Sequence, residues 1–406
     1  MRYVLAAYAA CLALLAAFAV IAGVILFDAT GPSDAAEGAG NRYSFNFVTW
    51  EAKHFPLKWL YKIGAVFRDN DGNDDDVLRR YFELGDEIDQ LAFESPDSDD
   101  LEAADEERRG LEARVEDIIE GRVTSVLEDE GLALEPPLFT DLGLIFPPVD
   151  FELESPTRVL AVSPRDRIQL EHSYLLRPGL SRDTSLDIES EVEADEPDLS
   201  ALVVTSGGVA TYPSVINEGR SYESLIDIVF HEWLHHYLVF FPLGRSYFDD
   251  DDTRTLNESV ANIGGRELAA LYFEKYGPLE PAPDAGPEPE PEPEEPPDDE
   301  PFDFTAEMRA LRVQVEEMLA AGEIDEAEAL MDRKRDEFEA EGYFIRRLNQ
   351  AYFAFYGFYA DTPASIDPIG PKIEILLEDA GSVGEFVRRA SAITTRDDLD
   401  ELLGEG

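Results

Sequence analysis

The sequence is poor in cysteine and in basic residues, and each shortage excludes a class of protein. Cys11 is the only cysteine among 406 residues, so neither an intrachain disulfide nor a thiolate metal cluster can form. Lys and Arg together number 33 against 88 Asp and Glu, which gives a formal net charge of -55. A chain this acidic is not expected to bind nucleic acid or an anionic membrane through charge attraction.

An uncharged apolar run opens the chain. It extends over 24 residues, from Val4 to Phe27, and at about 1.5 Å per residue this length spans a hydrocarbon core of roughly 30 Å. Cleaved secretory signals have apolar regions of about 7 to 15 residues, so we expect residues 1–30 to form an uncleaved transmembrane anchor. Arg2 precedes the run and predicts a cytoplasmic N-terminus. The expectation is therefore a single-pass cell-membrane protein whose remaining chain lies outside the cytoplasm.

Changes in composition divide the rest of the chain into five segments. Residues 31–42 form a spacer, and residues 43–135 form a helical region whose apolar spacing, interrupted by SPDSDD, predicts a helical hairpin. Residues 136–277 combine short β-branched runs with two further helices and are predicted to be the core. An acidic Pro-rich linker or insertion (residues 278–302) and a C-terminal helical subdomain (residues 303–406) follow. The predicted fold class is α+β, mainly helical with a small sheet, preceded by the single transmembrane helix.

An exposed sheet edge is predicted just before the first core helix. Gly207 and Gly208 separate ALVVTS from VATYPSV, which is typical of a β-hairpin. Pro213 has no N–H to donate to a neighbouring strand, so the strand from Val209 to Val215 is expected at the edge of its sheet.

Three of the five histidines lie in one apolar segment, FHEWLHHYLVFF, at residues 230–241. Apolar residues occupy nearly every face of the predicted helix, which is typical of a buried helix. His231, Glu232 and His235 are then polar side chains in the interior, where an unpaired polar group costs roughly 1 to 3 kcal/mol. We therefore expect a ligand that satisfies them.

The spacing of these residues favours a metal ion as that ligand. His231 and His235 are four residues apart, which places both imidazoles on one face of a helix within reach of a single ion. Glu232 would lie beside the open coordination position without being a ligand. This is the HExxH arrangement of zinc hydrolases, in which the glutamate takes a proton from water and the metal polarises the scissile carbonyl. His236 has no place in this geometry.

A catalytic zinc site needs a third protein ligand and an open fourth position. Glu258, in the segment TLNESVANIGGREL, lies 23 residues after His235 and is the predicted third ligand. Asn262, one turn further along the same face, is expected to accept the outer N–H of a ligating histidine. Glu267 and the acids Asp249 to Asp252 remain alternative donors.

The pair HEWLHH and NESVAN resembles the gluzincin (HExxH…NExxxN) zinc metallopeptidases, and in particular a bacterial family of predicted aminopeptidases whose helices read like HELAHQ and NESFA. GGVATYPSVI, the segment from Asn349 to Tyr359, and GPKIEILLEDAGSVGEFV are similar to further parts of that family, so the resemblance covers roughly residues 200 to 392. It implies a zincin-like metallopeptidase domain, a Zn2+ cofactor, and a peptide or protein substrate held as an added strand along Val209 to Val215. It also implies Tyr359, with Tyr212 as the alternative, as the donor that stabilises the oxyanion.

Two functions follow from the sequence. The first is a membrane-anchored zinc peptidase, with aminopeptidase-like specificity left open and Glu232 as the general base. The alternative is a degenerate zincin that acts as an extracytoplasmic binding or scaffold module. The presence of the glutamate and of all three ligand candidates favours the enzyme, because a decayed site commonly loses one of them.

Overall fold

A computed structural model describes residues 34–46, 50, 73–96, 98–132, 145–279 and 302–404. The predicted transmembrane anchor, residues 1–30, lies outside the described residues, as does nearly all of the Pro-rich linker.

Helices dominate the described residues, and six short strands accompany them. The helices are α1 (Asp34–Tyr43), α2 (Asp74–Glu94), α3 (Asp99–Asp129), α4 (Arg182–Asp195), α5 (Tyr222–Leu238), α6 (Pro242–Arg245), α7 (Asp251–Tyr276), α8 (Phe304–Ala320), α9 (Ile324–Ala340), α10 (Gln350–Tyr356), α11 (Ile369–Ala380), α12 (Val383–Ala390) and α13 (Arg396–Leu403). The strands are β1 (Phe151–Glu154), β2 (Arg158–Pro164), β3 (His172–Leu176), β4 (Leu199–Thr205), β5 (Gly208–Val209) and β6 (Ser214–Asn217).

The predicted helical hairpin is confirmed as α2 and α3. The SPDSDD break supplies Ser98, whose side chain accepts a hydrogen bond from the Leu101 amide and caps the start of α3. Tyr81 on α2 and Val115 on α3 belong to one apolar cluster, which continues into α5 and α7. The hairpin therefore packs its apolar stripe against the helices that carry the candidate site.

The single small sheet of the predicted fold class is wrong, because the strands form two separate three-stranded sheets. One has the order β3-β2-β4 and is antiparallel throughout. The other has the order β1-β6-β5, with β1 and β6 parallel and β5 and β6 antiparallel. Gly207 and Gly208 do not turn β4 back onto β5; they carry the chain from one sheet to the other. The hairpin is instead β5-β6, in the register Val209 to Val215.

The transmembrane part of the predicted fold class also has no support in the described residues. A spanning helix needs about 20 mostly apolar residues, and the long helices described here carry charged side chains along their length. No helix among the described residues is long and apolar enough to cross a membrane.

The centre of the fold is the packing of α5 against α7. Helix α5 is apolar on almost all sides, and side chains such as Phe230 and Leu234 are fully buried against α7 and its neighbours. Gly264 and Gly265 on α7 allow the helices to approach closely, since a Cβ added at Gly265 would lie 3.0 Å from the backbone nitrogen of His231. This close crossing brings the histidines of α5 opposite the acid of α7.

The C-terminal helices enclose this centre. Helices α11 and α12 pack against α7 on one side, whereas α10 packs against β2 and β4 on the other. The segment after α10, which contains Phe358 and Tyr359, returns to α7, where the Ala360 amide donates to the hydroxyl of Ser259 at 3.0 Å. The polar side chains of α5 and α7 thus face a space between these two helices, the β5-β6 hairpin and the segment after α10.

Candidate metal centre

Helix α5 brings two imidazole nitrogens together. Its first turn is capped by Ser221, whose hydroxyl accepts from the Ser224 amide at 3.3 Å. His231 and His235, one turn apart near its C-terminal end, have their Nε2 atoms 3.1 Å apart. His231 is 5% exposed, and the His235 side chain is 14% exposed. The two rings therefore converge on one point at the border of the core, as predicted.

Helix α7 places Glu258 opposite the histidines. The Oε2 atom of Glu258 lies 3.6 Å from His231 Nε2 and 3.5 Å from His235 Nε2. One ligand atom from each residue lies within 4.8 Å of the other two. His231, His235 and Glu258 could therefore hold a metal ion together.

The alternative donors have other partners. Asp250 caps the start of α7 by accepting from the Thr253 amide at 2.8 Å, within a capping box. Asp252 forms an ion pair with Arg396 at 2.6 Å, and Glu267 lies 3.8 Å from Arg266. The acidic run at the start of α7 thus supports the helix and does not join the three donors.

The spacing of the three donors fits a tetrahedral ion. Donors bound at about 2.0 to 2.1 Å around a tetrahedral zinc lie about 3.3 to 3.4 Å from each other, and the observed separations are 3.1, 3.5 and 3.6 Å. The Oε2 atom of Glu258 is buried without a hydrogen-bond partner, which is costly for a carboxylate oxygen unless a cation faces it. Both observations agree with a metal ion among these side chains.

Two neighbours fix the orientation of the donors, and the sequence analysis identified neither. The Nδ1 atom of His235 lies 2.9 Å from Asn257 Oδ1, so Nδ1 carries a hydrogen, and in the neutral ring Nε2 then has the lone pair that a metal ligand needs. The hydroxyl of Tyr247 donates to Glu258 Oε1, which leaves Oε2 for the histidines. Asn257 directly precedes the acid in the sequence, and this adjacency is the signal from which its role could have been predicted.

Asn262 does not have the role predicted for it. Its amide nitrogen donates to both carboxylate oxygens of Asp361 at 2.9 Å. Nδ1 of His231, the remaining outer ring nitrogen, is buried without a hydrogen-bond partner among the described residues. Asn262 lines the space between α5, α7 and the β5-β6 hairpin. Its hydrogen bonds to Asp361 tie α7 to the segment after α10.

The charges of the three donors depend on each other. Burial alone would raise the pKa of Glu258, but the charges of the adjacent His235 and His231 outweigh it and hold that pKa well below its usual range. Burial opposes protonation of His235, yet Glu258 and then Glu232 raise its pKa to about 9. The pocket therefore favours a positive charge beside Glu258, which is the charge that a metal ion supplies.

Glu232 lies next to the three donors, and its carboxylate lies against Gly208 of β5. Its side chain is 5% exposed, and burial raises its pKa, with His231 and His235 opposing the shift. The carboxylate packs against Gly208, where an added Cβ would lie 2.4 Å from Glu232 Oε1. It receives no hydrogen bond from a described residue and lines the cavity. Glu232 thus presents a carboxylate to the space in front of the three donors.

That space is a cavity of about 500 Å³, a volume typical of small-molecule and cofactor sites. Strand β5 forms part of one wall. Among the described strands it pairs only with β6, so its other edge has no neighbouring strand. The predicted edge strand Val209 to Val215 is corrected here: Val215 lies in β6, the middle strand, and of that segment only Val209, in β5, lies in an edge strand. A side chain at position 208 would displace the Glu232 carboxylate from its observed position.

The two predicted tyrosines occupy different positions. The Tyr359 ring centroid lies 6.2 Å from that of His231, and burial followed by the charges of Glu258 and Glu232 raises its pKa well above 10. Tyr212 is 1% exposed and packs its ring 5.6 Å from that of His236. Of the two tyrosines, Tyr359 is therefore the one whose ring lies beside His231.

His236 supports the wall of the cavity. It is buried, and its Nε2 donates to the carbonyl oxygen of Thr211 at 2.8 Å. Burial lowers its pKa to about 4, with that hydrogen bond opposing the shift. His236 therefore ties the β5-β6 turn to α5 and takes no part in the donor group.

Comparison with known proteins adds no relative to this description: no family model, no curated protein and no solved structure matches the chain.

Proposed function

We propose that the chain is a zinc-dependent peptidase that binds its metal through His231, His235 and Glu258. The observation that carries the proposal is the tetrahedral spacing of these three donors, with Glu232 beside them at the wall of a cavity. Two imidazoles and one carboxylate are a common ligand set of catalytic zinc sites, which leave a coordination position open. The resemblance of HEWLHH and NESVAN to the gluzincins supports the same reading.

The chain's own residues would divide the remaining work. Strand β5 offers an unpaired edge along which a peptide can add as a further strand. A zinc ion, when bound, would polarise the scissile carbonyl and make water more acidic. Glu232 would accept a proton on a carboxylate oxygen from the attacking water and pass it to the nitrogen of the leaving amine. Tyr359, beside His231, is the proposed donor to the developing oxyanion.

The test separates proton transfer from metal binding. Glu232→Gln keeps size and helix but cannot accept the proton, so peptide hydrolysis should fall at least about 10²-fold, the loss typical of a missing general base, while zinc content stays unchanged. Glu258→Ala removes a ligand and should lose zinc and activity together. Zinc content would be measured by elemental analysis, and hydrolysis on a mixed peptide library with product detection by mass spectrometry.

Glu267→Ala is the matched control, because Glu267 lies on the same helix and faces Arg266. It should retain both zinc and hydrolysis. Undiminished hydrolysis in Glu232→Gln would overturn the assignment of the base. A folded, zinc-loaded wild-type chain that cleaves no peptide in the library would overturn the proposed activity.

A further inference from the structure

A second functional group lies in the same cavity, one turn before Glu258. Arg254 of α7 is half-buried and lines the cavity wall. Its guanidinium carbon lies 5.0 Å from the ring centroid of Phe358 and 5.7 Å from that of Tyr247. Tyr247 also donates its hydroxyl to Glu258, so the arginine and the metal ligand are positioned by the same ring.

Arg254 has no acidic partner among the described residues. Within the part of the chain that the structure describes, no ion pair involves its guanidinium, and its Nε is buried without a hydrogen-bond acceptor. This is unusual in a chain with 88 acidic and 33 basic residues. Arg220, the other arginine among the residues lining the cavity, already donates through Nε to the Gly207 carbonyl at 3.3 Å and through Nη1 to Ser224. Of these two arginines, Arg254 is therefore the one whose guanidinium makes no hydrogen bond to another described residue.

The ring contacts of Arg254 leave the terminal nitrogens of its guanidinium free to donate hydrogen bonds. Aromatic rings interact with a guanidinium without consuming its N–H groups. The two terminal nitrogens can then bind a carboxylate in the planar, bidentate arrangement that arginine favours over lysine. The acids among the residues lining the cavity are Glu232 and Glu258. Since the proposed function assigns both of them, no further acid of the lining is left to bind a peptide amine. The cavity wall thus favours a negative group of the substrate over a positive one.

We propose that Arg254 binds a carboxylate of the peptide substrate and so determines specificity. The carboxylate is either the C-terminus of the peptide or the side chain of an Asp or Glu within it. The proposal rests on the proposed function only for the statement that the ligand is a peptide.

Binding to the zinc-loaded, full-length Glu232→Gln chain tests the proposal without turnover. The probes are one N-acetylated pentapeptide of neutral residues, as free acid and as C-terminal amide, and two amidated pentapeptides that differ by Glu against Gln at the central position. Titration calorimetry should show tighter binding for the free acid over its amide, or for the Glu peptide over the Gln peptide. We expect a factor of about 10 to 100, as for a charge-assisted hydrogen bond. The pair that shows the difference identifies the source of the carboxylate.

Arg254→Gln in the same background should abolish the difference, and Arg254→Lys should keep part of it, because lysine retains the charge without the bidentate geometry. Arg309→Gln removes an exposed arginine of α8 and should leave the difference intact. Equal binding within both peptide pairs, or a difference that survives Arg254→Gln, would overturn the proposal. Arg254-dependent binding with no cleavage by wild type would keep this proposal and reject the peptidase; cleavage without any carboxylate preference would do the reverse.

Discussion

Two buried glutamates of this chain show how a structural carboxylate differs from one that awaits a ligand. Glu189 on α4 is fully buried, and the Val203 amide donates to its Oε1 at 2.7 Å. Arg346 donates to both of its oxygens, and Arg347 donates to Oε2 at 3.3 Å. Every acceptor of this buried charge is satisfied within the protein, so the group needs nothing further.

Glu258 is 8% exposed, and its two carboxylate oxygens have different partners from those of Glu189. A hydroxyl reaches its Oε1, whereas its Oε2 has no hydrogen bond and lies 3.5 and 3.6 Å from two imidazole nitrogens. No arginine or lysine among the described residues forms an ion pair with it. Since a buried charge must be paired or must coordinate a metal, the comparison identifies Glu189 as structural, whereas Glu258 could hold a metal ion together with the two histidines.

The largest expected effect is on stability and tests the structural role of Glu189. Glu189→Gln leaves the partly buried Arg346 without its acidic partner, while Arg347 keeps Glu193. Breaking a buried pair in this way should lower the free energy of unfolding by about 3 kcal/mol. Urea unfolding followed by circular dichroism would measure it. Glu191→Gln, on the same helix but at an exposed pair with Arg42, should change it little. Zinc affinity should be unchanged in both variants, and a loss of zinc in Glu189→Gln would show that the two acids are not separate in function.

The next effect is on zinc affinity and tests how Asn257 positions His235. Asn257→Ala removes the acceptor that orients His235, so zinc affinity should fall about 10- to 100-fold, as for other groups that hold a metal-binding histidine. Competition with a chelating dye would measure the affinity. Asn262→Ala is the matched control, because Asn262 contacts Asp361 and no histidine, and it should retain wild-type affinity. Equal losses in the two variants would refute the assignment of Asn257.

The sequence was informative where local spacing decides the outcome. His231 and His235 converge because four residues make one helical turn, and the hairpin of α2 and α3 follows from its apolar spacing and its break. Other predictions failed where a distant partner decides. Asn262 has the spacing expected for a ligand's neighbour, yet its partner, Asp361, is 99 residues away. Likewise, a run of β-branched residues predicts a strand but not which strand it pairs with, so two sheets were predicted as one.

The smallest effect tests an intermediate case, the half-buried Glu112 of α3. Burial and then Glu218 raise its pKa to about 7, with Arg108 opposing the shift. The folded state therefore binds more protons than the unfolded state between pH 4.5 and 7, and the stability that Glu112 contributes at low pH is lost as the pH rises through that range. Glu112→Gln should be more stable than wild type by about 1 kcal/mol at pH 8, a value reduced for solvent screening, and should match it near pH 4.5. Urea unfolding at both pH values would measure this, and an equal difference at the two pH values would refute the ionisation argument.

The central claim is that three buried side chains form one metal site, and calorimetric titration of Zn2+ into the metal-stripped, full-length chain tests it most directly. The account predicts saturable binding of one zinc ion per chain, and loss of that binding in the folded His231→Ala, His235→Ala double variant. Absence of saturable binding by the folded wild-type chain, or retention of one equivalent by the double variant, would contradict it.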